Sequence, residues 1–245
     1  QDLSFAVPEG NVFALLGSNG AGKSTTIKMI LGLVKKEAGT VTVPTHTTIG
    51  YSPETPYFPP FLTAMEVLVY YAKLQKLPHK TIHEEAQKLL ACVGLENSHT
   101  KIRHYSKGML QRLALAQALL GNPQILILDE PCAGLDAMGR VEMLELIRRL
   151  KEDGKTILMN SHILSDMERV CDEGIILKDG EIMRTFTKDE LKEPGTLEKL
   201  FLDVVREGSL ILNVSCRNCD TTLSLFWSFI DVLEICSFVT SNTSC

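Results

Sequence analysis

Four short apolar runs punctuate the chain: Val12 to Leu16, Ile125 to Leu128, Thr156 to Met159 and Gly174 to Leu177. Their hydrophobicity is continuous instead of alternating, which marks strands covered on both faces, and the first three precede helix-like segments. The pattern predicts a mostly parallel sheet. After the fourth run, Asp179-Gly180 supplies the residues of a tight turn, so Ile175 to Met183 reads as a hairpin at a sheet edge. Between the first two runs, beyond a turn-rich stretch from Ser52 to Pro60, apolar residues recur at spacings of three and four over Leu62 to Leu77 and His83 to Leu95. That spacing predicts amphipathic helices and a helical subdomain inserted at about residues 60–106. Thr187-Lys188-Asp189-Glu190 has the form of a capping box and opens a final helical region that runs to about Glu207.

From Gly208 onward the pattern changes. Residues 208–245 have few charges, no clear periodicity, the only Trp (Trp227) and four of the seven cysteines: Cys216, Cys219, Cys236 and Cys245. They read as a tail of unknown role. Their single C-x-x-C leaves a zinc or redox site open as the minor reading, since a second C-x-x-C or a nearby His is missing. Cys92, Cys132 and Cys171 are widely scattered, which predicts reduced thiols.

Composition narrows the classes further. A chain of 245 residues with 44% hydrophobic and 22% charged residues suits one large α/β domain or two small ones. A net charge of -5 gives no support for a nucleic-acid surface. The best candidate for a membrane span, Leu223 to Val239, is interrupted by Asp231 and Glu234. A basic segment leading into an apolar run is not visible at the start. The chain begins with Gln1 inside a strand-like segment, and the natural start is expected upstream.

The chemistry lies at the ends of the apolar runs. Gly17-Ser18-Asn19-Gly20-Ala21-Gly22-Lys23-Ser24 is a complete G-x-x-x-x-G-K-[ST] phosphate loop between a strand-like run and the helix-like run Thr25 to Leu33. Its glycines let successive N–H groups face one centre, Lys23 adds a cation for the β- and γ-phosphates, and the Ser24 hydroxyl can hold Mg²⁺. Asp129 and Glu130 end the strand of Ile125 to Leu128 as a Walker B pair, one carboxylate for the Mg²⁺ shell and one to polarise the attacking water. Taken alone, that pair equally fits a strand end with solvated acids.

Tyr105-Ser106-Lys107-Gly108-Met109-Leu110-Gln111-Arg112 stands a short distance before that pair and resembles the L-S-G-G-Q signature of ATP-binding cassette (ABC) ATPases. Asp129 to Asp136 then resembles Walker B running into the D-loop, with Asp136 as its carboxylate. Met159-Asn160-Ser161-His162 resembles the switch strand whose His contacts the γ-phosphate. The resemblance covers Gln1 to about Glu207 and is closest to ATPase subunits of bacterial exporters of the drug, antibiotic and polysaccharide class.

The resemblance implies a P-loop α/β core with a mostly parallel sheet, an antiparallel β subdomain and a helical insert. It implies ATP hydrolysis with ATP and Mg²⁺ as cofactors, at the cytoplasmic face of a membrane beside a transmembrane permease. Ser18 to Thr25 (Ser18, Asn19, Gly20, Ala21, Gly22, Lys23, Ser24, Thr25) would bind ATP, Ser24, Glu54 and Asp129 would hold the metal, and Glu130 and His162 would be catalytic. Two chains, as a homodimer or heterodimer, would close head to tail so that Ser106, Lys107, Gly108 and Met109 of one reach the ATP of the other. An aromatic that stacks on adenine is expected upstream of Gln1.

Departures are local. Glu54 stands where the family usually has Gln, though a carboxylate oxygen still suits Mg²⁺. Lys107 and Met109 replace the commonest signature residues, and Ala137 replaces a common Pro. Cys132 replaces Thr or Ser beside Glu130, which predicts thiol sensitivity if it is exposed. A soluble ABC ATPase of DNA repair or translation is the alternative, although such relatives usually carry a long coiled-coil insertion or tandem cassettes. A P-loop kinase or GTPase would not need residues 105–112 or His162, and an inactive regulatory cassette would not need the full set of Lys23, Asp129, Glu130 and His162.

Overall fold

The structure is a computed structural model that describes residues 3–96 and 99–207; the tail cysteines and Trp227 lie outside the described residues. Among the described residues, six strands form one sheet: β1 (Val12–Gly17), β2 (Ile49–Ser52), β3 (Ile125–Asp129), β4 (Thr156–Asn160), β5 (Glu173–Lys178) and β6 (Glu181–Thr187), in the order β2-β3-β4-β1-β5-β6. All neighbours are parallel except β5 and β6, which form the expected hairpin at one edge. The four apolar runs are thus β1, β3, β4 and β5, and β1 is buried along its whole length. Strand β2 was not expected. Its alternate half-burial and the Pro53 that follows make it look like part of the turn-rich stretch.

Among the described residues, seven α-helices accompany the sheet: α1 (Lys23–Ile30), α2 (Ala64–Leu74), α3 (Ile82–Cys92), α4 (Lys107–Ala118), α5 (Ala137–Glu152), α6 (Leu164–Val170) and α7 (Thr196–Glu207). Helix α1 begins earlier and ends earlier than the run Thr25 to Leu33 suggests, because Gly32 takes a positive φ of 70° and closes it. Thr63 caps α2 with a full capping box, its hydroxyl accepting from Glu66 N while the Glu66 carboxylate accepts from Thr63 N. The Thr187 capping box is also present and opens a short 3₁₀ turn before α7.

Alternate residues of the strands serve two cores. Phe13, Leu15, Ile127, Leu158, Ile175 and Leu177 pack with Ala21 and Ile27 on the α1 side. Val12, Ala14, Leu16, Leu126, Leu128 and Met159 face a larger cluster that includes buried residues of α2, α3, α4, α5, α6 and α7. A parallel sheet so covered leaves the carboxyl ends of its strands as the natural binding crevice. Gly17, Ser52, Asp129 and Asn160 all stand at such ends.

Candidate active site

The chain leaves β1 at Gly17 and turns back on itself, with Ala21 N donating to the Ser18 carbonyl at 3.1 Å. Gly22 is the N-cap of α1 at φ 103°, a left-handed conformation that an L side chain would strain. No side chain caps that helix start, so its first N–H groups and the positive end of its dipole are offered to the hollow of the loop. Lys23 folds back into the loop and donates from Nζ to the carbonyls of Gly17 at 2.7 Å and Ser18 at 3.0 Å. An ammonium has three donors, so one remains for an anion. Burial lowers the Lys23 pKa, against the pull of Glu130, Asp129 and Glu54.

The carboxylates come from the ends of β3 and its neighbours. Asp129 and Glu130 are both buried, and burial raises both pKa values. Glu130 has φ 52°, a left-handed backbone that costs a non-glycine residue about 1–2 kcal/mol. Asn160, at the end of β4 and directly across the ladder from Asp129, holds that turn. Its Oδ1 accepts from Glu130 N at 2.9 Å and its Nδ2 donates to Asp129 Oδ1 at 2.7 Å. The His162 Nδ1 lies 2.8 Å from Glu130 Oε2 and partly offsets the effect of burial on that carboxylate. From β2, Tyr51 stands near Asp129, and burial, together with the Asp129 charge, raises the phenol's pKa.

Asn19, Lys23, Ser24, Glu54, Glu130, Asn160 and His162 line one cavity of about 330 Å³. It gathers three positions of the phosphate loop, the Glu54 segment, and Glu130, Asn160 and His162 from beyond the ends of β3 and β4, so residues far apart in sequence converge there. Asp129 lies behind the wall, joined to it through Asn160. Ser18 and Gly20 are exposed on the same loop, Thr25 is exposed on α1, and Ala21 is buried, its carbonyl accepting from Gly180 N of the β5–β6 turn at 3.0 Å.

The remaining predicted residues form a second cluster, outside that lining. Ser106 caps α4 by accepting from Met109 N at 3.2 Å. The stem of Lys107 lies against Gly134, and Gly108 abuts Leu135, so this segment and the D-loop pack together. Asp136 caps α5 by accepting from Gly139 N at 2.7 Å. Cys132 is 3% exposed and burial pushes its thiol up to about 12, so the condition for thiol sensitivity is not met.

Sequence reasoning missed Asn160, Tyr51 and Gln111, whose Nε2 donates to the Glu54 carbonyl at 2.8 Å. For Asn160 a signal existed: it is a polar residue at the end of an otherwise apolar strand facing Asp129. For the other two, the contacts depend on the fold.

The architecture and the cavity are those of a P-loop nucleotide-binding domain, and comparison with known proteins narrows the class. The ABC transporter family matches residues 1–133. An uncharacterised ABC transporter ATP-binding protein of Synechocystis sp. is 44% identical over 192 residues, which are 74% of this chain and 54% of that protein. The linearmycin resistance ATP-binding protein LnrL of Bacillus subtilis is 38% identical over 200 residues, 77% of this chain and 64% of that one. A solved ATP-binding subunit of an ABC transporter superposes with a TM-score of 0.74 at 33% identity, covering 84% of this chain and 92% of that one. The ATP-binding cassette MJ0796, solved as a dimer in a post-hydrolysis state with ADP and Pi, gives a TM-score of 0.67 at 27% identity over 75% of this chain and 88% of that one. The chain belongs to the ABC transporter ATP-binding family. It spans 54% and 64% of the length of the two curated relatives.

Proposed function

We propose that this chain binds and hydrolyses ATP with Mg²⁺ and thereby powers export of a substrate through a separate transmembrane permease. The observation that carries the reading is the convergence of Lys23, Ser24, Glu54, Glu130 and His162 on one cavity at the carboxyl ends of the strands. The free N–H groups of α1 and the third donor of Lys23 suit a polyphosphate. Asn19 and Ser24 add side-chain donors beside them.

The donor set also suits Mg²⁺. Ser24 and Glu54 line the cavity and would supply oxygen ligands, with Asp129 behind them through Asn160, and among the described residues no three His, Cys, Asp or Glu converge as a self-sufficient metal cage. Mg²⁺ generally takes one or two carboxylates and completes its shell with water and substrate phosphates. When bound, it neutralises phosphate charge at the γ-position. Glu130, with its pKa raised by burial, is a stronger proton acceptor than an ordinary carboxylate and serves as the general base for water. His162 is held by Glu130 while its ring stays exposed, so it can meet the γ-phosphate from the open side.

The Ser106 to Met109 segment stands outside this cavity, which supports a head-to-tail pair in which each chain completes the other's site. The dimeric state of MJ0796 supports the same reading. ATP would favour the closed pair by binding it better than the open one. Beside Glu54, a groove of about 670 Å³, lined in part by Pro53, Tyr57, Phe58, Tyr71, Gln75 and Gln117, is the face we assign to the permease. Residues 60–106 would act there as the helical insert of a cassette spanning residues 1–207. That permease places the chain at the cytoplasmic face of a membrane; among the described residues no helix is long and apolar enough to cross one. Export is favoured by the likeness to LnrL, a linearmycin resistance ATP-binding protein. The test is light scattering of Glu130→Gln: with Mg²⁺ and ATP its mass should double and with ADP it should not. A monomer that binds ATP at every concentration contradicts the paired site.

A further inference from the structure

Helix α4 carries Ser106 to Met109 at its start, and its later turns lie against the segment that leads into Glu54. At one point the two touch backbone to backbone. A Cβ on Gly50 of β2 would stand 2.0 Å from the Ala118 carbonyl oxygen. Nearer the start of α4, Gln111 donates from Nε2 to the Glu54 carbonyl at 2.8 Å, across 57 positions of sequence. The spans match. Gln111 to Ala118 is two helical turns, a rise of about 10 Å, and Gly50 to Glu54 reaches at most about 13 Å. Helix and segment therefore run side by side in opposite directions, joined at both ends of the contact.

Gln111 is 1% exposed. Among the described residues, its Oε1 is the buried side-chain atom that lacks a partner. Buried amides are usually satisfied at both ends, and here only the end that grips the Glu54 backbone is.

We propose that Gln111 is a positioning residue that makes the Glu54 loop and the start of α4 move as one body, so that nucleotide met by Glu54 in one site shifts the segment offered to the other. This rests on the paired ATP site proposed above. Glu54 belongs to the chain's own cavity and Ser106 to its neighbour's, so one hydrogen bond links the two. The bond is made to backbone, and it tracks the loop's position whichever acid or amide occupies residue 54.

The test uses hydrogen exchange on the full chain titrated with Mg²⁺ and ATP. In the wild type, peptides covering residues 52–58 and 106–113 should gain protection with one shared midpoint. In Gln111→Met the two midpoints should separate, and the Hill coefficient of turnover should fall to about 1. Because Oε1 is unpartnered, Gln111→Met should melt no lower than wild type, whereas a purely structural glutamine would leave the variant less stable. A variant that keeps a shared midpoint and wild-type cooperativity overturns the proposal. Should the variant not fold, separate midpoints in the wild type overturn it by themselves. A joint response without dimerisation keeps the tether and removes the paired site. No response to nucleotide overturns the ATP reading and the tether with it.

Discussion

Asn160→Ala removes the amide that binds both Walker B residues. Two hydrogen bonds disappear: Nδ2 to the Asp129 carboxylate at 2.7 Å and Oδ1 from Glu130 N at 2.9 Å. A bond to a charged group contributes about 1.5–3 kcal/mol and a neutral one about 0.5–1.5 kcal/mol. Glu130 N keeps the Asn160 backbone carbonyl at 3.2 Å, so its N–H is not orphaned. The expected loss is about 2–4 kcal/mol, or a fall in Tm of roughly 5–15 °C for a domain of this size. Equilibrium urea unfolding should show a lower midpoint with an unchanged m-value. The same amide lowers the Asp129 pKa against the upward effect of burial. Without it, Asp129 holds its proton to higher pH, and the acid limb of Mg²⁺-dependent turnover should move upward. Asn160→Asp should be worse, because it sets a second carboxylate opposite Asp129, and acid should relieve part of its loss. Stability within about 0.5 kcal/mol of wild type, with an unmoved acid limb, would refute this account of Asn160.

Burial raises the Glu130 pKa, so the folded chain binds that proton more tightly than the unfolded chain does. Stability is therefore lost as pH rises from the ordinary carboxylate range through the raised value. Glu130→Gln should melt above wild type at pH 8, with the gap closing below about pH 4; calorimetry across that range checks it, and a gap independent of pH contradicts it. Brief iodoacetamide treatment followed by peptide mapping should label exposed Cys92 and spare buried Cys132 and Cys171, whose thiols burial pushes up to about 12. Labelling of Cys132 in folded protein as fast as Cys92 would show that the segment beside Glu130 opens.

Residues whose task is set by their own chemistry were legible before the fold was known. A phosphate loop needs glycines, a lysine and a hydroxyl at fixed spacing, and Gly17 to Ser24 carries them. Strands buried on both faces must be apolar throughout, which exposed β1, β3, β4 and β5 as runs. Strand β2 escaped because it alternates and contains Gly50, whose missing side chain is explained by the Ala118 carbonyl of α4. Asn160 and Gln111 act through atoms 30 and 57 positions away. Such partners exist only once the β3–β4 register and the packing of α4 on β2 are in place. Glu54 was singled out as a departure from a resembling family, and the structure adds that its side chain faces the cavity while its backbone is held by Gln111.

The central claim is that Glu130, its pKa raised by burial against the pull of His162 and Lys23, is the base for ATP hydrolysis. Steady-state phosphate release by Glu130→Gln, measured against wild type with Mg²⁺ and saturating ATP, tests it most directly. Loss of a general base predicts turnover lower by about 10²-fold or more, with ATP still bound. Turnover within about threefold of wild type would mean that another group takes the proton, and would contradict the account.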